Sequence, residues 1–306
     1  MKMVDWMNFN EEMTDKIRQI EEMIQLHLPK EEGYQRTVIE AMNYAVLGGG
    51  KRLRPMLMAE TAAVFGGAGE SLAYFMMALE CIHTYSLVHD DLPAMDNDDY
   101  RRGRKTVHIV YGEGMAVLAG DGLLNFAFET AAAAFHMASE PQDCQRIAKA
   151  VQILGNKAGI YGMIGGQCAD LKAEEMGEDV TKDMLLYIHE HKTAALIQAA
   201  MMIGAVLAGA DDEAVLQIEK CAYNIGIAFQ IQDDILDVTS SLEVLGKPVG
   251  SDEKNNKLTY VSMHGLEESR KQVEELSREA IAILQSFSRR NLFLEQLVEQ
   301  LIYREK

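Results

Sequence analysis

The scarcity of proline restricts the fold of this 306-residue chain more than any other feature of its sequence. Only five prolines occur, and none lies in the 106 residues between Pro141 and Pro248. Leu, Met, Ala, Glu and Lys dominate, apolar residues recur at spacings of three and four, and β-branched alternation is rare. Because these residues favour helix and the spacing matches about 3.6 residues per turn, the sequence predicts an all-α protein.

The apolar spacing also predicts where the helices lie. Gly162, Gly165 and Gly166 are expected to kink a helix or to let two backbones approach. Neither a linker-like composition nor a fixed repeat interrupts the chain, which predicts one domain over residues 1–306, built as a single large helical bundle. The predicted helices cover residues 11–27, 34–47, 55–65, 70–90, 112–137, 142–160, 181–208, 212–237, 252–264 and 266–302, the last broken near 286–291.

Charge and cysteine usage exclude some classes of partner. The chain carries 47 acidic and 29 basic residues, a net charge of -18, which disfavours nucleic acid or an anionic membrane as a general partner. Any phosphate binding must therefore be local. No signal peptide is expected at the N-terminus. The widely spaced cysteines predict core thiols in a reducing compartment, and hence a cytoplasmic location; they are Cys81, Cys144, Cys168 and Cys221.

One uncharged segment, Thr193–Ala210, has the length of a short membrane span. It is rich in Ala and Gly, contains Gln198, and has no similar segment elsewhere in the chain. We therefore expect a buried core helix and no membrane span.

The stretch LVHDDLPAMDNDDYRRGRK, residues 87–105, holds five aspartates within ten residues. Such a density of negative charge needs a cation, and oxygen ligands without soft neighbours suit Mg²⁺ or Ca²⁺. On an unbroken helix Asp90 and Asp96 would point about 120° apart. Pro93 is expected to distort the helix and bring Asp96 back toward Asp90. A calcium-binding EF-hand is the rival, but its glycine and terminal glutamate are missing at the required spacing.

A second acidic group lies in FQIQDDILD, residues 229–237. Gln230, Asp233 and Asp237 follow one another at spacings of three and four, so they share one helix face. A solvated acidic face is the ordinary interpretation of such a group. The apolar flanks of this segment favour a metal cluster instead.

Basic residues occur in three separate contexts. Gly48–Gly50 and the residues up to Pro55 form a loop ahead of a helix, an arrangement that suits an anion. Taken alone, such a loop is usually a solvated turn. Lys192 could equally be a lysine whose ammonium reaches solvent, and Lys247 a solvent-exposed loop residue.

Together these motifs resemble the trans-isoprenyl diphosphate synthases. GGGKRLRP, ECIHTYSLVHDDLPAMDNDDYRRG, the His-Lys-Thr at 191–193, and FQIQDDILD followed by GKPVGSD occur in that family's order and spacing. The likeness spans roughly residues 35–265 and is greatest to the short-chain bacterial farnesyl and geranylgeranyl diphosphate synthases. It implies an isoprenoid synthase type fold around a central cavity, homodimerisation, and condensation of isopentenyl diphosphate with an allylic diphosphate.

The resemblance also implies roles for particular residues. Isopentenyl diphosphate would be bound without metal by Lys51, Arg54, His83 and Arg102. The allylic diphosphate would contact Arg101, Lys192, Thr193, Gln230 and Lys247. Three Mg²⁺ ions, for which Mn²⁺ could substitute, would be held by Asp90, Asp91, Asp96, Asp233, Asp234 and Asp237. Catalysis is implied for Asp90, Asp96, Asp233, Lys192 and Lys247.

Product length in this family depends on the floor of the cavity below the first aspartates. Tyr85, followed by Ser86, lies about 7.5 Å along a helix from Asp90. The resemblance therefore predicts that chain growth stops at the C15 product, farnesyl diphosphate, although Tyr85 could be an ordinary core residue. A geranylgeranyl diphosphate synthase, a terpene cyclase and a non-catalytic subunit are the alternatives. A cyclase would not need the cations assigned to isopentenyl diphosphate.

Overall fold

The computed structural model describes residues 3–239 and 259–302, and α-helix dominates both stretches. This confirms the all-α prediction. A short antiparallel hairpin pairs β1 (Tyr100–Arg101) with β2 (Arg104–Lys105). The helices are α1 (Met3–His27), α2 (Arg36–Val46), α3 (Leu53–Val64), α4 (Ser71–Asp90), α5 (Val107–Tyr111), α6 (Glu113–Ala133), α7 (Pro141–Ala158), α8 (Met163–Met176), α9 (Lys182–Ile188), α10 (Ala195–Leu207), α11 (Asp212–Thr239), α12 (Tyr260–His264), α13 (Leu266–Ser286) and α14 (Leu292–Ile302).

Two compact units make up the chain. The N-terminal unit comprises Met1–Ala59 and Ala68–Val151, and the C-terminal unit comprises Glu60–Gly67 and Gln152–Lys306. The single domain predicted for residues 1–306 stays a prediction.

The N-terminal unit is built around helix α4. Residues Phe75–Ile82 are buried without interruption, and α4 packs along α6. Gly120 permits the close approach of the two helices, because a methyl group there would lie 2.0 Å from His89 Nε2. Helices α2 and α5 pack on α6, and α1 packs on α4. The carboxyl end of α4, which carries Asp90, is thereby fixed in a rigid frame.

Helix α10 forms the core of the C-terminal unit. Every residue from Ala195 to Leu207 is buried, and α10 packs on α11, which also packs along α13. The prediction that Thr193–Ala210 contributes a core helix is confirmed. In the described part of the chain, no helix is both long enough and apolar enough to cross a membrane.

The helix predicted over 181–208 is not continuous. It is divided into α9, a π-helical turn at His189–Ala194, and α10. Helix α8 was not predicted, since Gly165 and Gly166 weaken the helical pattern there. As expected, Gly166 serves a close backbone approach: a methyl group on it would lie 2.1 Å from the backbone nitrogen of Lys192.

The cysteines only partly match the prediction of core thiols. Cys81 and Cys221 are buried, and burial raises the pKa of both thiols. Cys144 and Cys168 are exposed, so the prediction is wrong for these two. Both occupy outward positions on helices whose other faces are packed, a distinction that helix-like surroundings in the sequence do not reveal.

Candidate active site

The first aspartate cluster begins where α4 ends. Asp90 is the last residue of the helix, and the chain then turns back so that the Asp96 amide donates to the Asp90 carbonyl at 2.8 Å. The turn includes Asn97, whose φ of 53° lies in the left-handed region. The expected distortion at Pro93 is confirmed, because it brings the backbone of Asp96 to that of Asp90.

Asp91 is oriented differently from its neighbours. Its carboxylate is buried and accepts a hydrogen bond from Arg101 Nε at 2.6 Å. Burial raises the pKa of Asp91, and the positive charge of Arg101 only partly opposes this. The pair joins the hairpin to helix α4, whereas the metal-binding role of Asp91 stays a prediction.

Three of the four residues predicted to bind isopentenyl diphosphate lie together in the N-terminal unit. Burial lowers the pKa of His83 well below its ordinary value, and the nearby charges of Arg54 and Arg102 lower it further. Burial also lowers the pKa of Arg54 to about 10, with Glu80 opposing and Arg102 reinforcing the shift. Among the described residues, the buried Arg54 Nε has no hydrogen-bond partner. Lys51, the fourth residue, is exposed just before α3.

A buried ionic network lies next to these positively charged residues. Its members were assigned no role from the sequence. Arg52 donates to Glu21 at 2.6 Å, to Glu80 at 2.8 Å and to the Val46 carbonyl at 2.7 Å. Burial lowers the pKa of Arg52, but its two carboxylate partners outweigh that effect and the pKa is raised. Glu80 is the only acidic residue of α4 before Asp90, which is the signal that could have identified it.

In the C-terminal unit, the π-helical turn presents two predicted allylic-site residues. Lys192 Nζ donates to Asp170 at 2.6 Å, and Thr193 Oγ1 donates to Gln230 Oε1 at 2.8 Å. Gly226 of α11 allows the turn to approach, because a methyl group there would lie 2.3 Å from the Ala194 Cβ. Sequence reasoning missed Asp170, although its place in the glycine-flanked segment GGQCAD could have drawn attention to it.

The aspartates of α11 differ in exposure. Asp233 is exposed, whereas Asp234 and Asp237 are buried. Asp234 accepts a hydrogen bond from the Tyr260 amide at 2.7 Å and lies 3.9 Å from His189 Nε2. Burial lowers the pKa of His189 to about 4, so this histidine is neutral at pH 7. Lys247 lies outside the described residues.

The two residues predicted to form the cavity floor lie on α4. Tyr85 is buried, and its hydroxyl finds no hydrogen-bond partner within residues 3–239 and 259–302. Burial and the charge of Asp90 raise the pKa of Tyr85 to about 12. Ser86 donates to the His83 carbonyl at 2.9 Å.

The aspartate groups at the ends of α4 and α11 offer only oxygen donors, which suit Mg²⁺ and not a soft metal. Within the described ranges, no three His, Cys, Asp or Glu side chains form a group that could hold a metal ion. The donor chemistry fits Mg²⁺, and its binding stays a prediction.

Comparisons with known proteins agree with these features. Residues 35–300 match the polyprenyl synthetase family. The chain is 45% identical over 278 residues to the farnesyl diphosphate synthase of Escherichia coli (strain K12), covering 89% of this chain and 91% of that protein. It is 44% identical over 261 residues to the geranylgeranyl diphosphate synthase of Cyanophora paradoxa, covering 85% of each. A solved FPP/GFPP synthase structure from Zymomonas mobilis matches with a TM-score of 0.83 at 34% identity, covering 98% of this chain and 99% of that one.

An all-α chain with this structural likeness has the isoprenoid synthase fold, and its class is that of the prenyltransferases. The chain belongs to the polyprenyl synthetase family. Its similarity to both farnesyl and geranylgeranyl diphosphate synthases places it among the short-chain trans-prenyl synthases.

Proposed function

We propose that this protein condenses isopentenyl diphosphate with dimethylallyl and then geranyl diphosphate, giving farnesyl diphosphate as its main product. The observation that carries the proposal is the cluster of Arg54, His83 and Arg102 in the N-terminal unit. A buried guanidinium donor without a partner, next to a second arginine, favours a bound anion. A terpene cyclase, which ionises one diphosphate, has no use for a second anion site.

In this proposal the carbon–oxygen bond of the allylic diphosphate breaks and its electron pair leaves with the diphosphate. The terminal alkene carbon of isopentenyl diphosphate forms the new bond, and a proton passes to the departed diphosphate. Lys192 and Arg101 stabilise the charge that develops on the leaving group. Asp170 and Asp91, to which they are bound at 2.6 Å, position these two cations.

Mg²⁺ is the cofactor we propose, with three ions per site and Mn²⁺ as a substitute. Asp90, Asp96 and Asp233 would hold it, and Asp91, Asp234 and Asp237 would complete or support the cluster. When bound, the metal would neutralise diphosphate charge and so assist ionisation. No side-chain nucleophile is required.

Tyr85 supports a C15 product. Its ring is buried on α4 below Asp90, where it would block a longer chain. A geranylgeranyl diphosphate synthase is the second candidate, favoured by the 44% identity to the synthase of Cyanophora paradoxa. We also propose that the protein acts as a homodimer in the cytoplasm; gel filtration with light scattering tests the dimer.

Analysis of products tests the proposed function directly. The purified protein is incubated with isopentenyl and dimethylallyl diphosphates and Mg²⁺, and the products are separated and weighed by mass spectrometry. A predominant C15 diphosphate supports the proposal, and a predominant C20 diphosphate replaces it with the second candidate. Cyclic hydrocarbons formed from one diphosphate would indicate a cyclase, and no turnover would indicate a non-catalytic subunit.

A further inference from the structure

The hairpin of residues 100–105 has little apolar support of its own. A cleft of about 50 Å³ lies beneath it, bordered by Thr84 of α4, by Asp91 directly after α4 and by Tyr44 of α2. The exposed residues Arg102 and Arg104 lie in the hairpin. Its position therefore depends on polar tethers.

Two of these tethers reach the carboxyl end of α2. Tyr44 Oη donates to the Lys105 carbonyl at 2.8 Å. The Arg104 guanidinium lies 4.2 Å from the centre of the Tyr44 ring and donates to the Leu47 carbonyl at 3.1 Å. Tyr111 packs edge-on against Tyr44, with ring centres 5.6 Å apart. Tyr44 is thus held on one side by an aromatic ring and on the other by the hairpin.

These tethers lie next to Arg102, a residue of the proposed isopentenyl diphosphate site. Arg102 occupies the left-handed region, with a φ of 52°, and donates through Nη1 to the Gly49 carbonyl. A methyl group on Gly50 would lie 2.7 Å from that nitrogen, so the glycine loop and the guanidinium are in direct contact. Tyr44 and Arg104 hold the hairpin at its second strand, next to the turn that presents Arg102.

We propose that Tyr44 and Arg104 are positioning residues for the isopentenyl diphosphate site: they fix the hairpin to the end of α2 and so place Arg102 over the glycine loop. Neither residue has to touch the substrate for this. The inference rests on the proposed function, because it assumes that Arg102 binds isopentenyl diphosphate.

Steady-state kinetics with each substrate varied in turn test the assignment. Arg104→Gln removes the stacking and the hydrogen bond to Leu47, and we expect the KM for isopentenyl diphosphate to rise about five- to tenfold. Tyr44→Phe removes only the hydroxyl, and we expect a rise of about two- to threefold. The KM for dimethylallyl diphosphate and kcat should stay within about twofold of wild type, because Arg101, the allylic-site residue of the hairpin, is held separately by Asp91 at 2.6 Å.

Tyr44→Phe separates positioning from simple attraction of charge, since it changes no charge. Calorimetric titration with isopentenyl diphosphate alone, without Mg²⁺, should show a larger loss of affinity in Arg104→Gln than in Tyr44→Phe. The control is Arg36→Gln: Arg36 is an exposed arginine at the start of α2, and its guanidinium pairs with Glu40 at 2.7 Å instead of with the hairpin. Its KM values should match those of wild type.

The inference is overturned if Arg104→Gln weakens isopentenyl diphosphate binding while Tyr44→Phe has no effect, which would make Arg104 a source of charge only. It is also overturned if both KM values rise together, or if the melting temperature falls without a kinetic change. Condensation by wild type and by Arg36→Gln shows separately that the proposed function holds. Absence of condensation by wild type would contradict both the proposed function and the positioning role of Tyr44 and Arg104.

Discussion

At the scale of single residues, the cluster of Arg54, His83 and Arg102 depends on the buried carboxylate of Glu80. Glu80 is 3% exposed and is bound to Arg52, and its negative charge also acts on Arg54 and Arg102. A buried carboxylate of this kind is costly unless it is paired. The arginines and Glu80 thus stabilise one another, and the cluster keeps a net positive charge.

The Arg52–Glu80 pair predicts a large loss of stability when one partner is removed. Arg52→Leu leaves Glu80 buried without its partner, and we expect the free energy of unfolding to fall by about 3–5 kcal/mol. The double variant Arg52→Leu, Glu80→Leu should lose less than Arg52→Leu alone. Urea unfolding followed by circular dichroism measures the difference.

The control for this prediction is Arg18→Leu, because Arg18 pairs with Asp15 on the surface of α1. Its unfolding midpoint should be close to that of wild type. A loss below about 1 kcal/mol in Arg52→Leu would contradict the role of the buried network.

Tyr85 carries the residue-scale prediction about product length. Tyr85→Ala removes a buried ring, and we expect products longer than C15 from the same substrates. Tyr74→Ala is the control: Tyr74 lies on the same helix, but its ring packs edge-on against His27, with centres 5.2 Å apart. Chromatography of the products decides, and an unchanged C15 product from Tyr85→Ala would reject this residue as the floor.

At the scale of elements, periodicity located most helices but not their local irregularities. The break expected near 286–291 separates α13 from α14, and the predicted helix 212–237 matches α11 closely. The π-helical turn at His189–Ala194 escaped prediction, because it arises from contacts with α8 and α11 and leaves no periodic signal.

The same limit applies to the candidate site. The aspartate motifs and basic residues could be assigned because their side-chain chemistry is unusual at those spacings. Their partners, Glu80 and Asp170, are acidic residues within helices, and only packing shows that they face a cation. The fold-back at Pro93 could be predicted because proline acts on the local backbone.

Gly166 provides the test at the element scale. Gly166→Ala would place a methyl group 2.1 Å from the backbone nitrogen of Lys192, so α8 and the π-helical turn would have to separate. We expect the free energy of unfolding to fall by about 1–3 kcal/mol and turnover to drop about 100-fold as Lys192 is displaced.

Gly114→Ala is the matched control for that substitution. Gly114 lies in the first turn of α6, and an added methyl group there would meet no packing neighbour within 4 Å among the described residues. Its stability and turnover should equal or slightly exceed those of wild type. If Gly166→Ala behaved in the same way, the close approach would have no functional importance.

At the scale of the whole molecule, the proposed function requires a chain with a net charge of -18 to bind two polyanions. Long-range electrostatics therefore oppose such substrates, and in the proposed function their binding would depend on local cations and on metal. The proposed function places isopentenyl diphosphate on Lys51, Arg54, His83 and Arg102 without metal, and the allylic diphosphate on Mg²⁺. Binding of diphosphate at the aspartates should then depend strictly on a divalent ion.

This dependence can be measured without turnover, with inorganic diphosphate as the probe. Ligand at about 100 times its Kd should stabilise wild type by about 2.7 kcal/mol in Mg²⁺, seen as a higher melting temperature. Asp90→Asn and Asp233→Asn should each lose most of this shift, because each removes a proposed metal ligand. Asp183→Asn, at an exposed position in the first turn of α9, should retain it. An equal shift in EDTA, or a full shift in both ligand variants, would show that the arginines alone bind diphosphate and that the aspartates hold no metal needed for it.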